Sequence, residues 1–304
     1  MLGKCSIVIC TYNRASGMKA ALESIFDHYR GRNLDIVVVD NNSADHTLEV
    51  ASSFRSWGVR WLQEPSQGHS FARNRALNAT DRDIIVYIDD DVTVRPGWLE
   101  HLTLPFADAG VAVVGGELEP VWALPRPRWL TDRWLHSYSV CLRWDTATRT
   151  LRGREWLAEG NIAFRRSALV RAGGFPTHMG RIGDNLLSGG GVVVERIRHE
   201  GGDAVFAPCA IADHHIGPAR LTPKWLLRRV FWQGVTAALV EDYRIRHLRH
   251  APPPQAWCDL RLPVSHERWA AVFNGMPDVQ FDTILKETHD LGYALRKVGL
   301  LGER

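Results

Sequence analysis

Short runs of apolar, largely β-branched residues alternate with segments of helical spacing along the first part of the chain. The runs predict four strands, and the segments between them predict three helices. The predicted strands cover residues 5–10, 34–39, 59–62 and 84–88, and the predicted helices cover residues 15–29, 47–54 and 70–79. A strand, a helix and another strand in this order form a right-handed crossover, which favours a mostly parallel sheet with helices packed against it. We therefore predict an α/β protein.

The composition of the chain predicts a globular protein and argues against nucleic acid as a partner. The chain has 304 residues, of which 45% are hydrophobic, so it can bury a sizeable core. Its net charge of +3 is too small to indicate a nucleic-acid partner. Residues 1–4 run directly into the first predicted strand, and no run approaches the ~18 uninterrupted apolar residues of a membrane-spanning helix. We expect a cytoplasmic protein that binds no nucleic acid.

The regular alternation of predicted strands and helices ends at about residue 116. Prolines and tryptophans between residues 117 and 215 are typical of loops that shape a pocket. The elements predicted there are a strand over 156–165, a short helix over 167–172, a helix over 192–199 and a short strand over 204–206. A long helix is predicted from Thr222-Pro223 to about Arg249. These changes predict a domain over residues 1–220, divided into halves 1–116 and 117–220, and a helical extension over 221–304.

Polar side chains follow three of the predicted strands at the point where each strand ends. The segments are Thr11-Tyr12-Asn13-Arg14, Asp40-Asn41-Asn42-Ser43 and Asp89-Asp90-Asp91. Because ligands of open parallel sheets bind at the carboxyl ends of the strands, we expect these segments to lie together. Three consecutive aspartates repel one another, and a fold tolerates them where a cation or a ligand compensates. Alternation directs Asp89 and Asp91 to the same side, towards one unit of Mg²⁺ or Mn²⁺ and a diphosphate.

The order of these segments resembles that of the family-2 glycosyltransferases, which have the GT-A fold and use nucleotide sugars. Further segments in the same order extend the resemblance over about residues 5–235: Gly68 with Ala72-Arg73-Asn74, Glu159-Gly160-Asn161-Ile162-Ala163-Phe164-Arg165-Arg166, Gly173-Gly174-Phe175 and Asp213-His214-His215. The resemblance implies a GT-A (Rossmann-like) sheet with a C-terminal helical extension. It also implies metal-dependent transfer of a sugar from a nucleoside-diphosphate sugar to a glycan, a lipid-linked molecule or a small natural product.

The resemblance implies a role for each residue that matches a family motif. The residues implied to bind the nucleotide sugar are Thr11, Tyr12, Arg14, Asp40, Asn42, Gly68, Arg73, Asp89, Asp90 and Asn161. Asp40 would hydrogen-bond the base, and with the donors usual in the family this favours a UDP- or dTDP-linked sugar. Asp91 and His214 would hold Mg²⁺ or Mn²⁺ against the diphosphate.

The segment that should carry the catalytic base departs from the family pattern. Inverting transfer needs a carboxylate that takes the proton of the acceptor hydroxyl. Relatives usually place an acidic pair where this chain has Gly190 and Gly191. Asp184 is our predicted replacement, because Glu195 lies more than one helical turn from Gly190. An acceptor that is already a good nucleophile, and a chain that binds the donor with little transfer, stay open as alternatives.

Two other classes of protein are alternatives to a glycosyltransferase. One is a GT-A scaffold kept as a nucleotide-sugar-binding or partner-binding protein. The other is a nucleotidyltransferase, which usually has a glycine-rich basic loop where this chain has residues 11–14. Residues 218–250 carry seven basic and two acidic residues, and a helix packed on the domain is favoured over one lying on an anionic membrane. Arg228 or Arg229 is a further candidate for contact with the diphosphate.

Overall fold

The computed structural model describes residues 2–181, 185–248 and 279–301. The strands of this part are β1 (Cys5–Thr11), β2 (Asp35–Asp40), β3 (Val59–Gln63), β4 (Ile84–Asp89), β5 (Val92–Val94), β6 (Val111–Trp122), β7 (Arg149–Thr150), β8 (Asn161–Arg165) and β9 (Asp203–Ile216). The helices are α1 (Ala15–Tyr29), α2 (Thr47–Ser53), α3 (His69–Ala79), α4 (Trp98–Thr103), α5 (Arg166–Arg171), α6 (Gly190–His199), α7 (Pro223–Leu248) and α8 (Val279–Lys297). The predicted α/β class is confirmed.

All nine strands belong to one mixed sheet. Its order is β3-β2-β1-β4-β8-β6-β9-β5, and β7 pairs with β9 outside this path. The pairs among β1 to β4 are parallel, as predicted from the alternating strands and helices. β8 runs antiparallel to both β4 and β6, so the sheet changes character in its second half.

The second half of the sheet differs from the sequence prediction in two strands. The strand predicted over residues 204–206 is only the start of β9, which extends to Ile216. β9 is long because it pairs in parallel with β6 and antiparallel with β5, and neither partner is close in sequence. The strand predicted over residues 156–165 begins only at Asn161. Residues 156–160 form a loop that enters the candidate site.

The sheet is covered by helices whose apolar faces follow the spacing seen in the sequence. In α1, the side chains of Met18, Leu22 and Ile25 are fully buried against it. α7 also packs on the domain, with Leu226 buried and Trp225 stacked on Tyr138. This packing agrees with the favoured interpretation of the basic segment, and the domain boundary at residue 220 stays a prediction.

α7 and α8 lie against each other, and α8 reaches back to the loop that follows β6. Trp134 Nε1 donates a hydrogen bond to Asp282 Oδ1 at 2.6 Å, and Trp129 packs edge-on against Phe281. These tryptophans therefore join the loop to the C-terminal helices. No helix within the described ranges is long and apolar enough to cross a membrane.

Candidate active site

The carboxyl ends of three parallel strands, β1, β2 and β4, lie side by side at one edge of the sheet. Thr11 of β1 pairs with Asp40 of β2, and Cys10 of β1 pairs with Asp89 of β4. This register brings the three polar segments together, as we expected for parallel strands. Asp40 is buried, and its Oδ1 accepts the backbone N–H of Ser43 at 2.9 Å, which fixes the turn after β2.

Asp90 and Asp91 have different surroundings although they are neighbours in the chain. Asp90 is 8% exposed and accepts hydrogen bonds from Thr11 Oγ1 at 2.8 Å and Arg14 Nη1 at 3.3 Å. Burial raises the pKa of Asp90 to about 7, against the opposing charge of Arg14. Asp91 Oδ2 accepts hydrogen bonds from Arg14 Nη1 at 2.5 Å and from Arg220 Nη2 at 2.8 Å. Arg14 thus joins the end of β1 to both acids.

His214 lies next to Asp91 because β5 and β9 pair with Val92 opposite His214. His214 Nε2 is 3.5 Å from Asp91 Oδ1 and 3.0 Å from Arg220 Nη1. Burial alone would raise the pKa of Asp91, but His214 and the two arginines outweigh it and hold that pKa well below its usual value. The buried Nδ1 of His214 has no hydrogen-bond partner in the described part of the chain. The two predicted metal ligands are therefore neighbours.

Arg73 lies behind the strand ends, in the interior. Its side chain is 2% exposed and packs over the rings of Tyr87 and Phe175. Nη1 donates to Glu159 Oε2 at 2.6 Å, and Nη2 donates to Asp89 Oδ1 at 3.4 Å. One buried guanidinium therefore holds two carboxylates, and the direct donor contact that the resemblance implies for Arg73 stays a prediction.

Asn161 does not reach the surface of the site. Its side chain is fully buried, and Oδ1 accepts the indole N–H of Trp98 at 2.8 Å. Its Nδ2 donates to the backbone oxygens of Glu117 at 2.9 Å and Ala210 at 2.8 Å. These bonds use its polar atoms to tie β6, β8, β9 and α4 together, so this geometry gives no support to the donor contact implied for Asn161, which stays a prediction.

The loops after β1 and β2 hold the other predicted donor ligands. Tyr12 is 49% exposed, and Asn42 adopts a positive φ of 66°. Asn41, which the sequence analysis passed over, donates to the backbone oxygen of Ser66 at 2.7 Å and accepts the N–H of Gly68 at 2.8 Å. Gly68 has φ +140° directly before α3, a conformation that favours glycine. Asn41 thus positions the loop that contains Gly68.

A pocket lies between the end of β4, β9 and the start of α7. The acidic, basic and histidine residues that line it are Asp89, Asp91, Arg181, His214, Arg220 and Arg229. Asp89 and Asp91 therefore face the same space, as alternation along the chain predicts.

Arg229 is buried in this pocket, being only 8% exposed. It donates to the backbone oxygens of Ser137 and Leu186, both at 3.0 Å, and makes no ion pair within the described ranges. Burial, together with the charges of Arg181 and Arg220, lowers the pKa of Arg229 to about 9. An anion in the pocket would compensate this charge.

The predicted catalytic base, Asp184, lies outside the described residues. Gly190 and Gly191 are the first two residues of α6. Glu195, which helix geometry disfavours as the base, is bound through Oε1 by Arg244 Nη2 at 2.8 Å, on the side of α6 that meets α7. Glu159 is a carboxylate of the site that the sequence analysis did not single out. Its one local signal is its place in the loop before Asn161, where the chain enters the sheet.

Comparison with known proteins places this geometry in a family. Residues 6–173 match the model of glycosyl transferase family 2. A glucosyl-dolichyl phosphate glucuronosyltransferase from Haloferax volcanii is 27% identical over 252 residues, which cover 78% of this chain and 77% of that protein. A pre-mycofactocin glycosyltransferase from Mycobacterium tuberculosis is 28% identical over 245 residues, which cover 80% of this chain and 48% of that protein.

Solved structures share the fold. The mannosyltransferase PcManGT from Pyrobaculum calidifontis, in complex with GDP-Man and Mn²⁺, has a TM-score of 0.59 at 20% identity and covers 99% of this chain and 76% of that one. S. aureus TarS 1–349 in complex with UDP-GlcNAc has a TM-score of 0.58 at 14% identity and covers 98% of this chain and 91% of that one. The chain belongs to glycosyl transferase family 2 and is a glycosyltransferase with the GT-A fold.

Proposed function

We propose that the protein is a metal-dependent, inverting glycosyltransferase that moves a sugar from a UDP- or dTDP-linked donor to a hydroxyl group of an acceptor. The observation that carries this proposal is the buried Arg229 in the pocket that Asp89 and Asp91 also line. A buried guanidinium without a counter-ion is unfavourable. The diphosphate of a nucleotide sugar would supply the missing charge through charge-assisted hydrogen bonds.

The solved relatives support a nucleotide-sugar donor but differ in its base. One contains GDP-Man and another contains UDP-GlcNAc. The preference for a pyrimidine base therefore rests on Asp40, which is buried at the end of β2. Its carboxylate would accept the imide N–H of uracil or thymine.

Asp91 and His214 fit a divalent cation shared with the diphosphate. Asp91 supplies a hard oxygen, and His214 supplies a buried imidazole with an unpartnered Nδ1 beside it. No cluster of three or more His, Cys, Asp and Glu side chains that could hold a metal occurs among the described residues. Diphosphate oxygens and water would complete the coordination, as is usual for Mg²⁺. When bound, the cation would neutralise the departing diphosphate.

The arginines around Asp91 would have a second task once the donor is bound. Arg14 and Arg220 both donate to Asp91 Oδ2 here. If Asp91 held the cation, Arg14 and Arg220 would be available to donate hydrogen bonds to phosphate oxygens. The arginines would thus help to hold the diphosphate.

The acceptor is proposed only as a class. One relative is named for a glucosyl-dolichyl phosphate substrate and another for a mycofactocin precursor. A lipid-linked molecule, a glycan and a small natural product therefore all stay candidates. The packing of Trp225 and Leu226 against the domain supports a helix that packs on the domain over one that lies on a membrane.

The test is incubation of the protein with Mn²⁺ and a panel of UDP-, dTDP- and GDP-sugars, with the products separated by ion-exchange chromatography. We expect nucleoside diphosphate to accumulate from a pyrimidine donor, by transfer or by slow hydrolysis. Release of pyrophosphate would indicate a nucleotidyltransferase instead. Binding of a donor with no product would indicate a binding protein.

A further inference from the structure

The start of α6 carries a carboxylate that comes from a distant part of the chain. Glu159 lies in the loop before β8, and its Oε1 accepts the backbone N–H of Gly190 at 2.9 Å and the hydroxyl of Ser188. Its Oε2 accepts Arg73 Nη1 at 2.6 Å. Glu159 thus occupies the N-terminus of a ten-residue helix, where a negative charge is stabilised by the helix dipole.

Glu159 also fills the space that a side chain at Gly190 would need. A Cβ atom on Gly190 would lie 2.5 Å from both Cγ and Cδ of Glu159. These atoms cannot easily yield, because Arg73 and Ser188 fix the carboxylate beyond them. The acidic side chain absent from residue 190 is therefore matched by an acidic side chain that enters the same volume from the loop before β8.

The three aspartates at the end of β4 and directly after it have other surroundings. Asp90 is buried and accepts hydrogen bonds from Thr11 and Arg14. Asp89 and Asp91 both face the pocket proposed to hold the diphosphate, on the side of the leaving group.

Glu159 combines a fixed position with a free acceptor site. A carboxylate accepts about four hydrogen bonds, and among the described residues the Glu159 carboxylate receives three, from Arg73, Ser188 and Gly190. Its side chain is 19% exposed, so it is open to a substrate. Arg73 donates hydrogen bonds to both Glu159 and Asp89. Because Asp89 lines the pocket, Arg73 links Glu159 to the pocket wall.

We propose that Glu159 replaces the acidic pair missing at Gly190 and Gly191, and is the carboxylate that accepts the proton of the acceptor hydroxyl. The proposal rests on the proposed function. In the step, the acceptor oxygen bonds to the anomeric carbon while its proton passes to Glu159 Oε2. The bond from that carbon to the diphosphate oxygen breaks, and the electron pair leaves with the nucleoside diphosphate. Glu159 then returns the proton to water.

The surroundings of Glu159 keep it ionised for this role. Burial alone would raise its pKa, but the charge of Arg73 and the hydrogen bonds from Ser188 and Gly190 outweigh burial and hold the pKa below its ordinary value. The other charged or titratable groups near it are His69 of α3, Asp89 of β4 and Arg229 of α7.

The first test replaces Glu159 by glutamine, with Glu195→Gln as the matched control on α6. The probe is the nucleotide sugar that gives the most nucleoside diphosphate with the wild type, with water as acceptor. We expect E159Q to bind this donor within threefold of the wild type in calorimetry and to release product at least ~100-fold more slowly. We also expect the wild-type rate to fall at acidic pH and the E159Q rate to lose this fall, while E195Q keeps both the rate and the pH profile of the wild type.

A second test moves the carboxylate back to α6. E159A should be as slow as E159Q, and the double variant E159A/G190D should recover at least tenfold over E159A, since the space at residue 190 is then free. A rate for E159Q within threefold of the wild type, or a rate loss matched by an equal loss of donor affinity, would overturn the role of Glu159. So would an E159A/G190D variant no faster than E159A. A wild type that releases no nucleoside diphosphate from any donor would instead reject the proposed function, and with it this proposal.

Discussion

Arg14 Nη1 lies 2.5 Å from Asp91 Oδ2, although 77 residues separate the two in the chain. The contact exists because β1 and β4 are parallel neighbours whose carboxyl ends meet at the same edge of the sheet. It places Arg14, a positively charged hydrogen-bond donor, and Asp91, a predicted metal ligand, in one site.

Asp91→Ala should abolish the binding of nucleoside diphosphate that depends on Mn²⁺, because Asp91 supplies the hard oxygen ligand. Titration calorimetry with UDP and Mn²⁺ measures this, and we expect affinity to fall by at least ~100-fold. Asp213→Ala is the matched control, since Asp213 is bonded to Arg95 at 2.6 Å outside the pocket. Equal affinity in D91A and the wild type would remove Asp91 from the site.

Arg229→Met should weaken nucleoside-diphosphate binding by about tenfold or more, because the buried guanidinium is proposed to pair with the diphosphate. The same change should lower the melting temperature little, since an apolar side chain replaces a buried charge that has no carboxylate partner in the described part of the chain. Calorimetry and thermal denaturation give the two readings. If Arg228→Met loses affinity and R229M does not, the assignment to Arg229 is wrong.

Asn161→Ala should destabilise the protein by about 2–4 kcal/mol, because it leaves the buried indole N–H of Trp98 and two backbone oxygens without partners. Urea denaturation measures this, with the exposed Asn78→Ala as control. Folded N161A should bind the donor as the wild type does. A stable variant with lost donor affinity would instead support the ligand role that the resemblance implied.

His69 should make the stability of the protein depend on pH. Burial, assisted by Arg73, lowers the pKa of His69 from 6.5 to about 3. Between these values the unfolded chain binds a proton that the folded chain does not, so the free energy of unfolding decreases as pH falls below about 6.5.

The variant His69→Gln isolates the contribution of His69 to the pH dependence of stability, because glutamine does not titrate. From pH 6.5 to pH 4.5, the wild type should lose about 1–2 kcal/mol more than His69→Gln in urea denaturation. Parallel pH profiles for the two proteins would show that His69 does not titrate in this way.

The sequence was sufficient for the first half of the sheet because its strands carry local signals. β1, β2 and β3 are short apolar runs in which neighbours along the chain pair after an intervening helix, and β4 is a further apolar run that joins the same sheet beside β1. The full length of β9 could not be predicted in the same way. Its residues after 206 become a strand through pairing with β6 and β5, whose positions depend on the whole fold.

The position of a candidate site residue was predictable where that residue closely follows its own strand, as Asp91 follows β4. It was not predictable where a role depends on contacts between distant segments. Asn161 belongs to a family motif, but its environment is set by Trp98 and two backbone oxygens. The relation between Glu159 and Gly190 spans 31 residues and exists only in the folded chain, where Glu159 accepts the Gly190 N–H and occupies the space beside residue 190.

The most direct test of the account follows the anomeric proton signals of the donor by NMR during turnover with Mn²⁺. The proposed mechanism is that the acceptor oxygen displaces the diphosphate in one step, while a carboxylate of the protein takes its proton. It predicts that an α-linked UDP- or dTDP-sugar disappears while the β-anomer of the sugar forms first, together with nucleoside diphosphate. An α-anomer as the first product, or a donor signal that stays constant beside a bound donor, would contradict it.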